Sequence, residues 1–155
     1  MKKGMRTCML GLLGALCLML GACNSLPEID PAAALQTMET SIPFSEELTE
    51  MDIAATCKNY DVDEADLQTG LSAIGSGATA ESAAVFQAVD SEAAGRVETA
   101  LRDFLDAWIE GYSDYQPEEV PKLAAAVLER RGPYVILCVS ADAAKAAEVV
   151  GQILG

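Results

Sequence analysis

One long apolar stripe limits the fold more than any other feature of this chain. From Asp90 or Ser91 onward, apolar residues recur at Ala94, Val97, Leu101, Phe104, Leu105, Trp108 and Tyr112, the three-and-four spacing of a single helix face. Asp90 or Ser91 supplies an N-cap, and Glu92 places an acid in the first turn, where it complements the helix dipole. Such a face needs an apolar surface to cover it, so the stripe predicts a sheet across which this helix packs. Large side chains at helical spacing form core far more often than they hold a cofactor. Trp108 therefore reads as a packing residue.

The sheet has to come from the remaining apolar segments. Residues 67–74 and 82–89 flank the turn cluster Gly75-Ser76-Gly77 and read as antiparallel neighbours. That cluster lacks the further residues of a phosphate-binding loop. Residues 125–130 and 134–140 flank Arg131-Gly132-Pro133 as a hairpin, and Tyr134-Val135-Ile136-Leu137-Cys138-Val139 is the most strand-like run of the chain, a central strand. Residues 32–40 read as a short helix and 41–49, with Pro43, as irregular. Asp52 caps a helix through Lys58, and residues 59–66 form an acidic connection. Tyr115-Gln116-Pro117-Glu118-Glu119 reads as a break followed by a helix start, distorted by Pro121. Ser140 caps a last helix with Ala143, Ala147, Val150 and Leu154 on its inner face. The order predicts an α+β domain: a mainly antiparallel sheet of about four strands with helices packed on one face.

The first 22 residues stand apart from that domain. Lys2, Lys3 and Arg6 precede an apolar run over residues 9–20, and the small residues Gly21 and Ala22 lead to Cys23. This is the build of a secretory signal. A membrane-spanning helix needs about 20 apolar residues, and Asn24 and Ser25 close this run too early. Residues 24–31 are polar and aperiodic, as in a tether. The expected organisation is a signal peptide over 1–22, a lipidated tether over 23–31 and a single α+β domain over 32–155. Cys8 and Cys17 fall in the signal. Cys57 and Cys138 remain, either as a disulfide contributing roughly 4 kcal/mol or as buried free thiols.

Leu20-Gly21-Ala22-Cys23 resembles the lipobox of bacterial lipoproteins. The resemblance implies that the signal peptidase recognises Leu20, Gly21 and Ala22, that the chain is cut before Cys23, and that the Cys23 sulfur carries a diacylglyceryl group. At roughly 0.8 kcal/mol per buried CH₂, two acyl chains anchor stably where one myristoyl chain does not. The membrane is then a partner through the Cys23 lipid, and the outer face of the cytoplasmic membrane is the expected address.

Residues 67–150 look like an uncharacterised family of lipoprotein domains from Gram-positive bacteria, catalogued as domain of unknown function 4358. The matching stretches are Gly77-Ala78-Thr79-Ala80-Glu81 before Ala84-Val85-Phe86, then Tyr115-Gln116-Pro117-Glu118-Glu119, then Gly132-Pro133-Tyr134-Val135 before Val139-Ser140. In that family a second acid often follows the position of Glu81, and Arg and Gln often stand where this chain has Phe104 and Trp108. Here Ser82, Phe104 and Trp108 occupy those places. The resemblance implies an address and a fold and supplies no activity.

Charge and composition narrow the function. The chain has 10 basic residues, 24 acidic ones and no His. Without Lys2, Lys3 and Arg6 the formal charge is −17, which repels nucleic acid and argues against it as a partner. Absence of His excludes Ser-His-Asp and Cys-His hydrolases and His-containing zinc sites. The acidic run Asp61, Asp63, Glu64 and Asp66 lacks the calcium-loop spacing and reads as a solvated loop. No metal and no cofactor are expected. Glu110, Asp114, Glu118 and Glu119 are close in sequence and leave a carboxylate-dependent cell-envelope hydrolase as the alternative. The favoured expectation is a non-enzymatic binding or interaction module with an envelope protein partner, and Tyr112, Tyr115 and Glu118 form its candidate interaction edge.

Overall fold

The computed structural model describes residues 28–155. Strands β1 (Thr49–Met51), β2 (Leu67–Ile74), β3 (Ser82–Ala88), β4 (Val127–Arg131) and β5 (Tyr134–Val139) form one sheet in the order β1-β2-β3-β5-β4. Every neighbouring pair is antiparallel. The class is α+β, as the sequence predicts, with five strands instead of four. The additional strand, β1, lies in and just beyond the segment read as irregular. Three residues, Thr-Glu-Met, are too short and too polar to carry a visible alternation.

Helices cover both faces of the sheet, which corrects the expectation of one covered face. Ala84 and Phe86 on β3, with Val135, Leu137 and Val139 on β5, point into one core. The alternate residues Ala83, Val85, Ile136 and Cys138 point into a second core. Both central strands are apolar at nearly every position, so water must be kept from both sides. α2 (Ile53–Tyr60), α3 (Ser91–Tyr115) and α4 (Val120–Ala124) cover the first face, and α1 (Pro31–Ser41) and α5 (Ala143–Leu154) cover the second. Cys57 and Cys138 belong to opposite faces and are free thiols. Burial, followed by the charge of Glu81, pushes the Cys138 thiol up to about 12.

α3 is the helix that the stripe predicts. Asp90 accepts hydrogen bonds from Glu92 N (2.9 Å) and Ala93 N (2.8 Å), which satisfies two of the free donors at the helix start. Ala94, Val97, Leu101, Phe104 and Tyr112 are buried on its inner face, and Leu105 and Trp108 are half-buried beside them. α5 differs in detail. Its N-cap is Asp142, whose carboxylate accepts from Lys145 N at 2.9 Å. The Ser140 hydroxyl instead donates to Pro43 O (2.9 Å) and accepts from Asp142 N (3.1 Å). The inner face of α5 is Ala146, Val149, Val150 and Leu154, and Ala147 is exposed. In an alanine-rich helix small residues stand on every side, so spacing alone does not select the buried ones.

The β4–β5 hairpin turns at Gly132, whose φ of 58° is a left-handed conformation that glycine adopts freely. This hairpin, the start of α1 and the start of α3 share one end of the sheet. The loop from β2 to β3, the ends of α1 and α3, and the start of α5 share the other.

Candidate functional site

At that second end, the loop between β2 and β3 is held by side chains from three other segments. Gly75 N donates to Glu81 O at 3.0 Å and closes the loop on itself. Glu46 Oε1 accepts from Ser76 N (3.1 Å) and Thr79 Oγ1 (2.8 Å). From α3, Tyr112 Oη donates to Thr79 O (3.1 Å) and, just past the helix, Gln116 Nε2 donates to Ala78 O (3.3 Å). Ala80 N donates to Glu119 Oε2 at 2.9 Å. A backbone loop with few partners of its own is thereby pinned against rigid elements.

The centre of the arrangement is a buried ionic cluster. Glu81 is 1% exposed, and both its oxygens are engaged: Oε2 accepts from Ser45 N (2.6 Å) and Oε1 from Ser45 Oγ (3.0 Å). Lys122 Nζ lies 3.4 Å from Glu81 Oε1 and 3.0 Å from Glu119 Oε2. Burial opposes the Lys122 charge, but the Glu119 hydrogen bond and the charges of Glu81 and Glu119 outweigh it and hold its pKa above the usual lysine value. Hydrogen bonds from Ser76 and Thr79 hold the Glu46 carboxyl below the usual carboxylate range. Buried ions need such partners because unpaired charge in the interior costs several kcal/mol, of the order of 3–5 when one partner is removed. The cluster works chemically as a latch joining α4, the β2–β3 loop and the segment after α1. Its carboxylates face protein donors, so they do not make an open acid–base pair of the kind a glycosidase needs.

The residues picked out by the sequence divide around this latch. Tyr112 is 5% exposed and belongs to the loop anchorage, whereas Tyr115 is 68% exposed and Glu118 is exposed. Tyr115 stacks on Tyr112 with ring centroids 5.5 Å apart. It ends a file of rings running through Trp108, Phe104 and the buried Tyr60 at spacings of 5.6, 4.5 and 4.6 Å. Glu110 and Asp114 are exposed, while Glu119, grouped with them in sequence, is buried in the latch. Asp63 caps the 3₁₀ turn Glu64–Asp66, and Asp66 pairs with Arg96 at 2.6 Å, so that acidic run is structural. Cys23, Leu20, Gly21 and Ala22 lie outside the described residues.

Sequence reasoning overlooked Lys122 and the pairing of Glu81. The available signal was an acid directly before a strand that is apolar at most positions, a place that burial would reach. Nothing local shows that its counter-charge sits 41 residues later. Two stretches of the family resemblance, residues 77–81 and 115–119, meet here through Ala78, Ala80, Gln116 and Glu119. The third, at Gly132–Val135, occupies the opposite end of the sheet, where Tyr134 Oη accepts from Ile29 N at 3.1 Å.

A family model described as a domain of unknown function, DUF4358, matches residues 40–140. That span contains all five strands and α2 to α4. No curated protein and no solved structure matches the chain.

Proposed function

Because the chain belongs to the DUF4358 family of domains of unknown function, we propose that it is a lipoprotein held through Cys23 at the outer face of the cytoplasmic membrane of a Gram-positive bacterium, where its domain serves as a protein-interaction module. The observation that carries the interaction reading is the polarity of the molecule. The described chain enters at the hairpin end, where Ile29 N meets Tyr134 Oη and Ile29 and Pro31 are buried. The latched loop and the exposed Tyr115 and Glu118 lie at the other end. A rigid, aromatic-tipped end turned away from the anchor suits recognition of another protein, because exposed aromatics are frequent anchors of interfaces.

The anchoring is tested by fractionation. Cys23→Ala is expected to leave the membrane fraction or to accumulate as an uncut precursor, since no other group in Leu20-Gly21-Ala22-Cys23 can take a thioether lipid. A processed, membrane-bound Cys23→Ala protein would end the lipoprotein reading. Interaction is tested by crosslinking whole cells that express the wild type or Tyr115→Ala, at matched folded amounts. Loss of a specific crosslinked envelope protein with Tyr115→Ala is expected. An unchanged crosslinking pattern argues that Tyr115 recognises nothing.

A further inference from the structure

A groove opens beside the end of α1 and along β1. Its cavity of about 660 Å³ is lined by Ile42, Pro43, Phe44 and Leu48 together with Glu39, Glu46, Glu47 and Glu50, and no Lys or Arg is among the lining residues. Glu46 is committed to Ser76 and Thr79. Among the described residues, Glu39, Glu47 and Glu50 form no ion pair. Burial, then the charge of Glu50, raises the Glu39 carboxyl above its usual value, as expected where negative charges crowd without a counter-ion. Among the described residues, β1 is an edge strand of the sheet, paired on one side only. The groove therefore combines an apolar floor, an uncompensated acidic wall and an open strand edge, at the end of the molecule remote from Ile29.

We propose that this groove receives an extended, basic segment of a partner protein, with Lys or Arg side chains against Glu39, Glu47 and Glu50 and an apolar side chain on Phe44 and Leu48. Each part of the groove selects one property of the segment. The carboxylates demand positive charge, the floor demands apolar side chains between the charges, and the strand edge favours an extended backbone that can add to the sheet. A strand presents alternate side chains to opposite faces, so a segment whose basic and apolar residues come in successive pairs turns both kinds toward the groove. This deepens the interaction-module reading and rests on it only in taking the occupant to be a protein of the envelope.

The test uses the full chain in non-ionic detergent and a fluorescent eight-residue peptide, Lys-Lys-Val-Val repeated, with binding followed by anisotropy. Saturable binding is expected. Glu47 and Glu50 are exposed, so the Glu47→Lys, Glu50→Lys double variant should fold, as its melting curve will verify, and should bind about tenfold more weakly. The same peptide with Ser in place of Val should also bind about tenfold more weakly, because it loses the apolar contact. Equal binding of the Lys–Ser peptide would reduce the effect to bulk acidity and overturn the proposal. Equal binding by the double variant, or no binding by the wild type, would overturn it too. Self-association of the wild type that the double variant abolishes would assign the groove to a second copy of this chain instead. Membrane release of Cys23→Ala is read in a separate experiment, so failure of the anchor and failure of the groove are distinguishable.

Discussion

Tyr60 shows how an individual side chain can carry opposing contributions. It is completely buried, in edge contact with Phe86 and Phe104, yet its hydroxyl has no hydrogen-bond partner of adequate geometry. Burial pushes its pKa from 10.0 up to about 12. A group whose folded pKa is raised contributes stability that is complete below its unfolded value and is lost as the pH rises through the folded value. The domain should therefore weaken between about pH 10 and 12, with Cys138 adding to the same fall. Tyr60→Phe keeps the ring and removes the unpartnered hydroxyl, so at neutral pH it should change stability by less than about 1 kcal/mol, or raise it. It should also flatten the alkaline fall, and an equally steep fall in Tyr60→Phe would exclude the phenol as its cause. Lys122 is the opposite case. Lys122→Met leaves Glu81 and Glu119 without their shared cation and should cost about 2 kcal/mol at pH 7, less than a fully buried pair because Lys122 keeps some exposure. Urea unfolding of the two proteins measures it, and equal stability would mean that Glu81 and Glu119 do not need this cation.

At the scale of elements, α3 was legible and α5 was only half legible, for one reason. α3 carries large residues on a single face, and large residues have only one favourable place to go. α5 carries Ala at four of its twelve positions, and Ala gains little from burial, so Ala146 and Ala147 look alike until a neighbour is present. Trp108 is half-buried between Phe104 and Tyr112. Trp108→Ala should then cost about 2–3 kcal/mol, below the range for a fully buried Trp, and calorimetry of the two proteins will show it. Tyr115→Ala and Glu118→Ala should shift the melting temperature little, since both side chains are exposed at the end of the helix. A large loss from Tyr115→Ala would show that its stacking on Tyr112 holds the helix end, and would remove Tyr115 from the list of recognition residues.

For the molecule as a whole, the proposed anchor would set its orientation through the point where the chain enters the domain. Only five residues separate Cys23 from Ile29, a reach of about 20 Å when fully extended, so a lipid on Cys23 would keep the hairpin end near the bilayer. Energy transfer to an acceptor dye on lipid headgroups should be stronger from a donor on Ala32→Cys than from one on Ser113→Cys, both exposed positions at opposite ends; the buried Cys57 and Cys138 should resist labelling. Equal transfer from both sites would mean that the domain tumbles freely on its tether. The amino-acid sequence by itself determined the α+β class, the β2–β3 pair, the β4–β5 hairpin and the long helix, because each depends on periodicity or turn chemistry within a few residues. Tertiary structure alone decided that both faces of the sheet are covered, that Cys57 and Cys138 stand apart, and that Glu81, Glu119 and Lys122 form a latch. Those outcomes depend on which distant segments become neighbours, and a charge shows its partner only when the chain has closed around both.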